Sequence, residues 1–132
     1  MYYMKETCQK CDISYDTLKF YCNQQLIPNV KRDKNNYRIF DDHDISWIKS
    51  LKALKHCGMS INEIREYLAL CLQGKSTIPK RQIILKQKKE ELLRRQQELI
   101  EAIEYIDKKN CYYSQVIAEK IPYHSNLIAK KN

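Results

Sequence analysis

Apolar residues recur at three- and four-residue steps along most of this chain. Met4, Cys8 and Cys11 mark the inward side of a helix over residues 4–11, with Lys5, Glu6, Gln9 and Lys10 outward. Ser14 offers its hydroxyl to the free amides of Asp16 or Thr17 and opens a second helix running to about Gln24. Leu18, Tyr21 and Cys22 share one face of it, while Tyr15, Asp16, Lys19 and Asn23 lie toward the other side. Asp41 or Asp42 caps the next helix, which carries Trp47, Ile48, Leu51, Ala53 and Leu54 at helical spacing and is ended by Gly58. Ser60 and Glu63 form a capping box opening a helix that buries Ile61, Ile64, Leu68 and Leu72 and stops near Gly74.

The helical pattern is interrupted between Pro28 and Phe40. Val30 to Phe40 reads as two short extended segments joined by Asp33-Lys34-Asn35-Asn36, where paired asparagines tolerate the positive φ of a tight hairpin turn. Beyond Gly74, Thr77 is the expected N-cap of a helix with Pro79 in its first turn, and no Gly or Pro follows until after Asn110. About thirty such residues span roughly 45 Å. Leu85, Leu92, Leu99 and Ile106 recur every seven residues, Ala102 and Ile103 thicken the later part, and Leu93 and Ile100 widen the stripe. Lys88, Lys89, Arg95 and Gln96 dilute it. A domain of about 75 residues cannot cover a stripe of that length, so its cover is a second chain or a folded-back tail. In residues 111–132, Tyr112, Tyr113, Val116 and Ile117 suit a further short helix, and the terminal Lys130-Lys131-Asn132 is expected to fray. The expected organisation is mainly α: a compact domain of helices and a hairpin over residues 1–75, a long dimerising coiled-coil helix over 76–110 and a tail over 111–132.

Charge sharpens the reading of the interrupted stretch. The chain carries a net +8, and the twenty residues from Lys19 to Arg38 hold +4 of it, as Lys19, Lys31, Arg32, Lys34 and Arg38 against Asp33 alone. A helix edge bearing hydroxyl, amide and cationic groups beside a basic hairpin is suited to holding phosphates and reading base edges of duplex DNA. The candidate DNA-binding residues are Ser14, Tyr15, Thr17, Lys19 and Tyr21 in the helix, and Lys31, Arg32, Tyr37 and Arg38 in the hairpin. Lys49, Lys52 and Lys55 follow at steps of three, as a phosphate-facing edge or an ordinary solvated face. The dimerisation candidates are Leu85, Leu92, Leu99, Ile103 and Ile106.

Other classes are disfavoured. The longest aliphatic run, Ile83-Ile84-Leu85, is far too short to span a membrane, no secretory signal precedes Lys5, and a cytoplasmic location is expected. Six cysteines spread through helical patterns read as free thiols in a reducing compartment. Cys8 and Cys11 form one C-x-x-C with no second ligand pair, so no metal and no other cofactor is expected. His43, His56 and His124 lie in no nucleophile–base arrangement legible in the sequence, so an enzyme is not expected.

The stretch from residue 13 to 40 resembles the winged helix-turn-helix of the MerR family of bacterial transcription regulators. The resemblance is carried by Ile13-Ser14, Asp16-Thr17-Leu18-Lys19-Phe20-Tyr21, Leu26-Ile27-Pro28, Arg32-Asp33 and Tyr37-Arg38, and extends in element order over roughly residues 3 to 110. Family members usually have Gly where this chain has Asp12, Gln25 and Asn36, and Glu where it has Cys22. The resemblance implies a winged helix-turn-helix followed by a dimerisation helix that pairs antiparallel with a second copy. It further implies an effector-responsive, stress-response regulator that bends or untwists promoter DNA so that RNA polymerase can engage it. Metal-sensing relatives carry paired cysteines after the dimerisation helix, whereas Cys111 has no downstream partner. Electrophile-sensing relatives use a cysteine in the helix after the wing; here Ala53 takes that register and Cys57 follows one turn later, leaving Cys57 and Cys71 as possible thiol sensors or plain buried thiols. The alternative class, a helical coiled-coil interaction protein without DNA binding, has no use for the hairpin.

Overall fold

The computed structural model describes residues 1–128. Its elements are α1 (Met4–Cys11), α2 (Tyr15–Asn23), β1 (Lys31–Arg32), β2 (Arg38–Ile39), α3 (Asp42–His56), α4 (Ile61–Leu72), a 3-10 turn (Lys75–Thr77) and α5 (Ile78–Ile117). The terminal residues expected to fray lie outside the described part. Two compact units divide the chain, residues 1–90 and 91–132.

Local chemistry sets the helix starts. Ser14 Oγ accepts from the Thr17 amide at 3.1 Å. Asp41 and Asp44 cap each other's amides at 2.8 and 2.9 Å, and Ser60 and Glu63 do the same at 3.1 Å in both directions. Asp44 is buried, and that burial pushes its carboxyl up from the usual carboxylate range.

Two helix ends and the hairpin turn use left-handed residues. Asp12, Gln25 and Asn36 have φ of 52°, 58° and 66°, so all three positions where the family resemblance calls for glycine adopt the conformation glycine favours. At the end of α2 the Gln25 amide donates to Cys22 O at 3.1 Å and the Leu26 amide to Tyr21 O at 3.0 Å, a Schellman closure with Leu26 and Tyr21 both buried. Gly58 closes α3 in the same way, with the Met59 amide reaching Leu54 O.

The head, residues 1–90, is held by Leu18, Tyr21, Leu26, Ile27, Phe40, Ile45, Ile48, Leu51, Leu54, Met59 and Ile64, with Trp47 packed against them. The Trp47 indole donates to Leu26 O at 2.7 Å, fixing α3 to the segment between α2 and the wing. The wing is the antiparallel pair β1–β2, with Lys31 opposite Ile39 and Arg32 opposite Arg38. Phe40 at its base is fully buried, and Tyr2 and Phe40 exchange backbone bonds at 2.7 and 2.8 Å, so the N-terminus extends the hairpin.

Several expectations change. Leu72 is 63% exposed, and Ala53 is also exposed, because α4 and α3 each bury a narrower stripe than their apolar content suggests. Thr77 does not cap the long helix with its side chain. Its hydroxyl donates back to Leu70 O and Gly74 O and accepts from Arg81 Nε, locking the turn between α4 and α5. Thr7, expected on neither face, is fully buried, and its hydroxyl has no partner among the described residues.

The first turns of α5 belong to the head: Ile84 packs on the core, and Lys88 Nζ lies 2.7 Å from Glu63. In the second unit the helix does not stop near Asn110. Tyr112 to Ile117 are its last turns and not a separate short helix, and Glu119, at φ 59°, closes it through Glu119 N to Val116 O and Lys120 N to Gln115 O, both 3.0 Å. The Tyr112 hydroxyl then accepts from the His124 amide at 2.8 Å and anchors the segment beyond.

Candidate nucleic-acid interface

Helix α2 is short, nine residues, and its sides differ. Leu18 and Tyr21 face the core, whereas Tyr15, Asp16, Lys19, Phe20 and Asn23 are exposed. At 100° per residue, Tyr15 and Lys19 make one flank, Asp16 and Phe20 the outermost edge, and Thr17 and Tyr21 the other flank. The wing stands beside the first flank. Arg38 Nη2 donates to Asn23 Oδ1 at 3.0 Å, tying β2 to the last turn of α2. One surface therefore carries the helix edge and the basic hairpin together.

The hairpin tip is organised around Asp33. Its carboxylate accepts from the Asn35 and Tyr37 amides at 2.9 and 3.0 Å and from the Tyr3 hydroxyl at 2.9 Å. These bonds, the Tyr37 amide first, hold the carboxyl below its usual range. Tyr3 also meets Tyr37 edge to face, with ring centroids 6.4 Å apart. Arg32 Nη1 donates to Asn36 O at 2.9 Å, and Lys31 is exposed. Between the wing and α2 lies a cleft of about 470 Å³, bordered by Lys5, Tyr15, Tyr37 and Arg38. An arginine with one donor bonded to Asn23 keeps others for a phosphate at this cleft.

Of the residues singled out from sequence, Tyr15, Lys19, Lys31, Arg32, Tyr37 and Arg38 lie on this surface, and Ser14 and Thr17 stand at the N-terminal end of α2, where their hydroxyls are 2.8 Å apart. Tyr21, read from sequence both as a neighbour of Leu18 on one face and as a DNA-binding candidate, is only 5% exposed, and its ring belongs to the core. The i, i+3 relation of Tyr21 to buried Leu18 places it there. Phe20, by contrast, is 44% exposed at the outermost edge and was not singled out. Its position two residues from Leu18, on the opposite side of the helix, is the signal, and an exposed aromatic there can meet a thymine methyl.

Of the basic edge on α3, Lys52 turns back to Asp12, donating to its backbone oxygen at 2.8 Å, while Lys49 and Lys55 stay exposed. Cys22 is half-buried near Arg38 and Arg32, and burial outweighs those cations in pushing its thiol up. Cys57 is the half-buried C-cap of α3. Cys71, also half-buried, accepts from Arg81 Nη1 at 3.9 Å and borders a cleft of about 180 Å³ with Trp47 and His43. Among the described residues no group of His, Cys, Asp and Glu could hold a metal ion, and no helix is long and apolar enough to cross a membrane.

Comparison with known proteins agrees with this geometry. Residues 2–71 match the family model described as MerR HTH family regulatory protein, and residues 45–108 match the one described as MerR, DNA binding. An uncharacterized HTH-type transcriptional regulator of Haemophilus influenzae is 30% identical over 89% of this chain and 87% of its own length. The HTH-type transcriptional regulator AdhR of Bacillus subtilis is 36% identical over 58% of this chain and 55% of its own. Among solved structures, HiNmlR, a MerR family regulator lacking the sensor domain and bound to promoter DNA, is similar with TM-score 0.73 and 30% identity, covering 89% of this chain and 93% of that one. A putative MerR family regulator from Listeria monocytogenes gives TM-score 0.78 at 30% identity, covering 91% and 92%. A family model spanning more than half of the chain, and a regulator 30% identical across most of both lengths, establish that this chain belongs to the MerR family of helix-turn-helix transcriptional regulators.

Proposed function

We propose that the chain acts as a homodimer on promoter DNA, with α2 in the major groove and the wing on the adjoining backbone. The observation that carries this reading is the Arg38–Asn23 bond, which fixes the basic hairpin beside the polar edge of α2. Tyr15, Lys19 and Phe20 then meet base edges and backbone from the helix, and Lys31, Arg32, Tyr37 and Arg38 hold phosphates from the wing. Ser14 and Thr17 serve first as the cap that starts the helix.

Leu85, Leu92, Leu99, Ile103 and Ile106, all between 37% and 64% exposed, form the face that pairs with a second copy. Two heads held at fixed separation meet successive major grooves on one side of a duplex. Strain imposed on DNA spanning both heads bends or untwists it, a distortion costing several kcal/mol that protein contacts supply, and RNA polymerase is the partner that benefits. Such a regulator works in the cytoplasm.

For the effector, Cys71 has the more suggestive surroundings of the two candidate thiols, since a guanidinium donates to its sulfur and it opens onto a cleft. Promoter output with and without an electrophile in wild type, Cys57→Ser and Cys71→Ser decides this. A response lost in one variant identifies the sensor, and a full response in both removes these thiols.

The DNA-reading proposal is tested by affinity for a duplex selected by the wild-type protein from a random-sequence pool. Arg38→Ala is expected to weaken binding and flatten the log–log salt slope by roughly one unit. Unchanged affinity and slope in both Arg38→Ala and Lys19→Ala would place the interface elsewhere and favour a helical interaction protein.

A further inference from the structure

Beyond α5 the chain turns back at Glu119, and the Tyr112 hydroxyl, accepting from the His124 amide at 2.8 Å, holds the returning segment against the last turns of the helix. Tyr112 follows Ile103 by about two and a half turns and so stands on the side of α5 away from the exposed apolar stripe. The returning segment therefore covers another face and leaves the stripe open. Between the segment and the helix is a cleft of about 190 Å³ bordered by Lys109, Tyr112, Tyr113, Tyr123, His124 and Ser125, and a second of about 220 Å³ adjoins it through Tyr123, His124 and Ser125. Phenol rings make much of its wall, and those of Tyr112 and Tyr113 lie 5.7 Å apart between centroids. Its charge is Lys109. That ammonium sits 5.9 Å from the Tyr113 centroid and pairs with no carboxylate among the described residues. The Tyr123 hydroxyl and the His124 imidazole make no hydrogen bond among those residues, and none of the described residues bordering the cleft is acidic.

We propose that this cleft is a binding site for a small aromatic carboxylate. Aromatic rings bordering a recess favour a flat ligand, which they meet by offset stacking or edge to face. A cation held over a ring, with no carboxylate beside it, still lacks an anion to neutralise it. A ligand of one ring and one carboxylate supplies both: its ring packs on Tyr113 and Tyr123, and its carboxylate takes charge-assisted bonds from Lys109, with the His124 imidazole as a second donor. Volume sets the size, since drug-sized ligands occupy pockets of roughly 300 Å³ upward and this cleft is smaller. Such a ligand is held reversibly and needs none of the cysteines, so the site is separate from the candidate thiol sensors and from the DNA-reading surface of the head.

The test is an NMR titration of the full chain with sodium benzoate, followed at the tyrosine rings. Saturable shifts are expected at Tyr112, Tyr113 and Tyr123. Lys109→Gln keeps most of the stem and removes the charge, and it is expected to weaken benzoate binding roughly tenfold, the value of a hydrogen bond to a charged group. Tyr123→Ala is expected to weaken it severalfold through the lost ring contact. Tyr123 is exposed and Lys109 half-buried, so both variants are expected to keep the wild-type circular dichroism. Benzyl alcohol offers the ring without the charge and acetate the charge without the ring; each is expected to bind roughly tenfold more weakly than benzoate, or worse. If benzoate leaves these tyrosines unmoved, or shifts only residues of the head, the site is wrong. If benzyl alcohol or acetate matches benzoate, or both Lys109→Gln and Tyr123→Ala bind benzoate as wild type, the assignment to an aromatic carboxylate is wrong.

Discussion

The head and the later part of α5 have similar appetites for apolar contact and satisfy them differently. In residues 1–90 the large apolar side chains converge: Leu18, Leu26, Phe40, Ile48, Leu51, Met59 and Ile64 are almost completely shielded from solvent by the chain itself. In residues 91–117 Leu92, Leu99, Ile103 and Ile106 repeat at heptad-like spacing, and every one of them is exposed. A sequence of helix-forming residues is enough to specify α5 as a helix, but it does not supply the surface that the stripe requires. The head thus covers its own large apolar side chains, whereas the distal stripe has no cover among the described residues, and a second copy is what the proposed pairing would bring to it. A thermal or denaturant experiment on the head and an association experiment on the helix therefore probe separate free energies.

Emptying the core of the head is the most damaging change. Phe40→Ala removes the ring that seats the wing on the core and is expected to cost about 3–5 kcal/mol. Denaturant melts are expected to show that loss, with the wing's DNA contacts disappearing alongside. Next comes the stripe. Leu92→Asp or Leu99→Asp places a carboxylate in the paired face and is expected to weaken the dimer by at least about 3 kcal/mol, over a hundredfold in dissociation constant. Near-native circular dichroism of the head in those variants would confirm that the two regions are independent; a collapse of the head would deny it.

Smaller effects sharpen the picture within the head. Gln25 bears a side chain at φ 58°, so Gln25→Gly relieves left-handed strain and is expected to stabilise by about 0.5–1 kcal/mol after the added unfolded-state entropy is counted. Asn36→Gly is expected to gain less, since Asn tolerates that region. Smallest is the Glu63–Lys88 contact. Lys88, followed by the Ser60 amide, holds the Glu63 carboxyl below its usual range. A depressed carboxyl contributes stability that is fully present above its unfolded-state pKa and is lost as pH falls through the folded value. Glu63→Gln keeps a capping side chain but not the charge, so its melting temperature is expected to lie slightly below wild type at neutral pH and to converge with it in acid.

These elements also show what the sequence could reveal. Ser14 and Ser60 were legible as caps, and the third helix start was narrowed to Asp41 or Asp42, because a cap is decided within four residues; the wing was legible because Asp33 to Asn36 carries its own turn chemistry. Asp12, Gln25 and Asn36 were marked by the family resemblance, which has Gly there, whereas nothing in the sequence marked Glu119 as left-handed. Contacts joining distant parts left no periodic trace. Tyr3 reaches Asp33, Tyr2 pairs with Phe40, and Arg65 bonds Gln24 at the end of α2, each across thirty residues or more. Thr77 shows the same limit at short range, since its spacing suits a cap for α5 and only the folded turn shows that it bonds backward to α4. Tyr21 is the most instructive case, because helical periodicity places it on the Leu18 face, and there it is 5% exposed and part of the core.

The central claim is that two copies, joined through the exposed stripe of α5, present two reading heads to one duplex. Sedimentation velocity of the wild-type chain at micromolar concentration, alone and with a selected duplex, tests it most directly. A particle of twice the 15.9 kDa chain, adding as one dimer per duplex, is the expected result. A wild-type chain that sediments as a monomer under both conditions would contradict it.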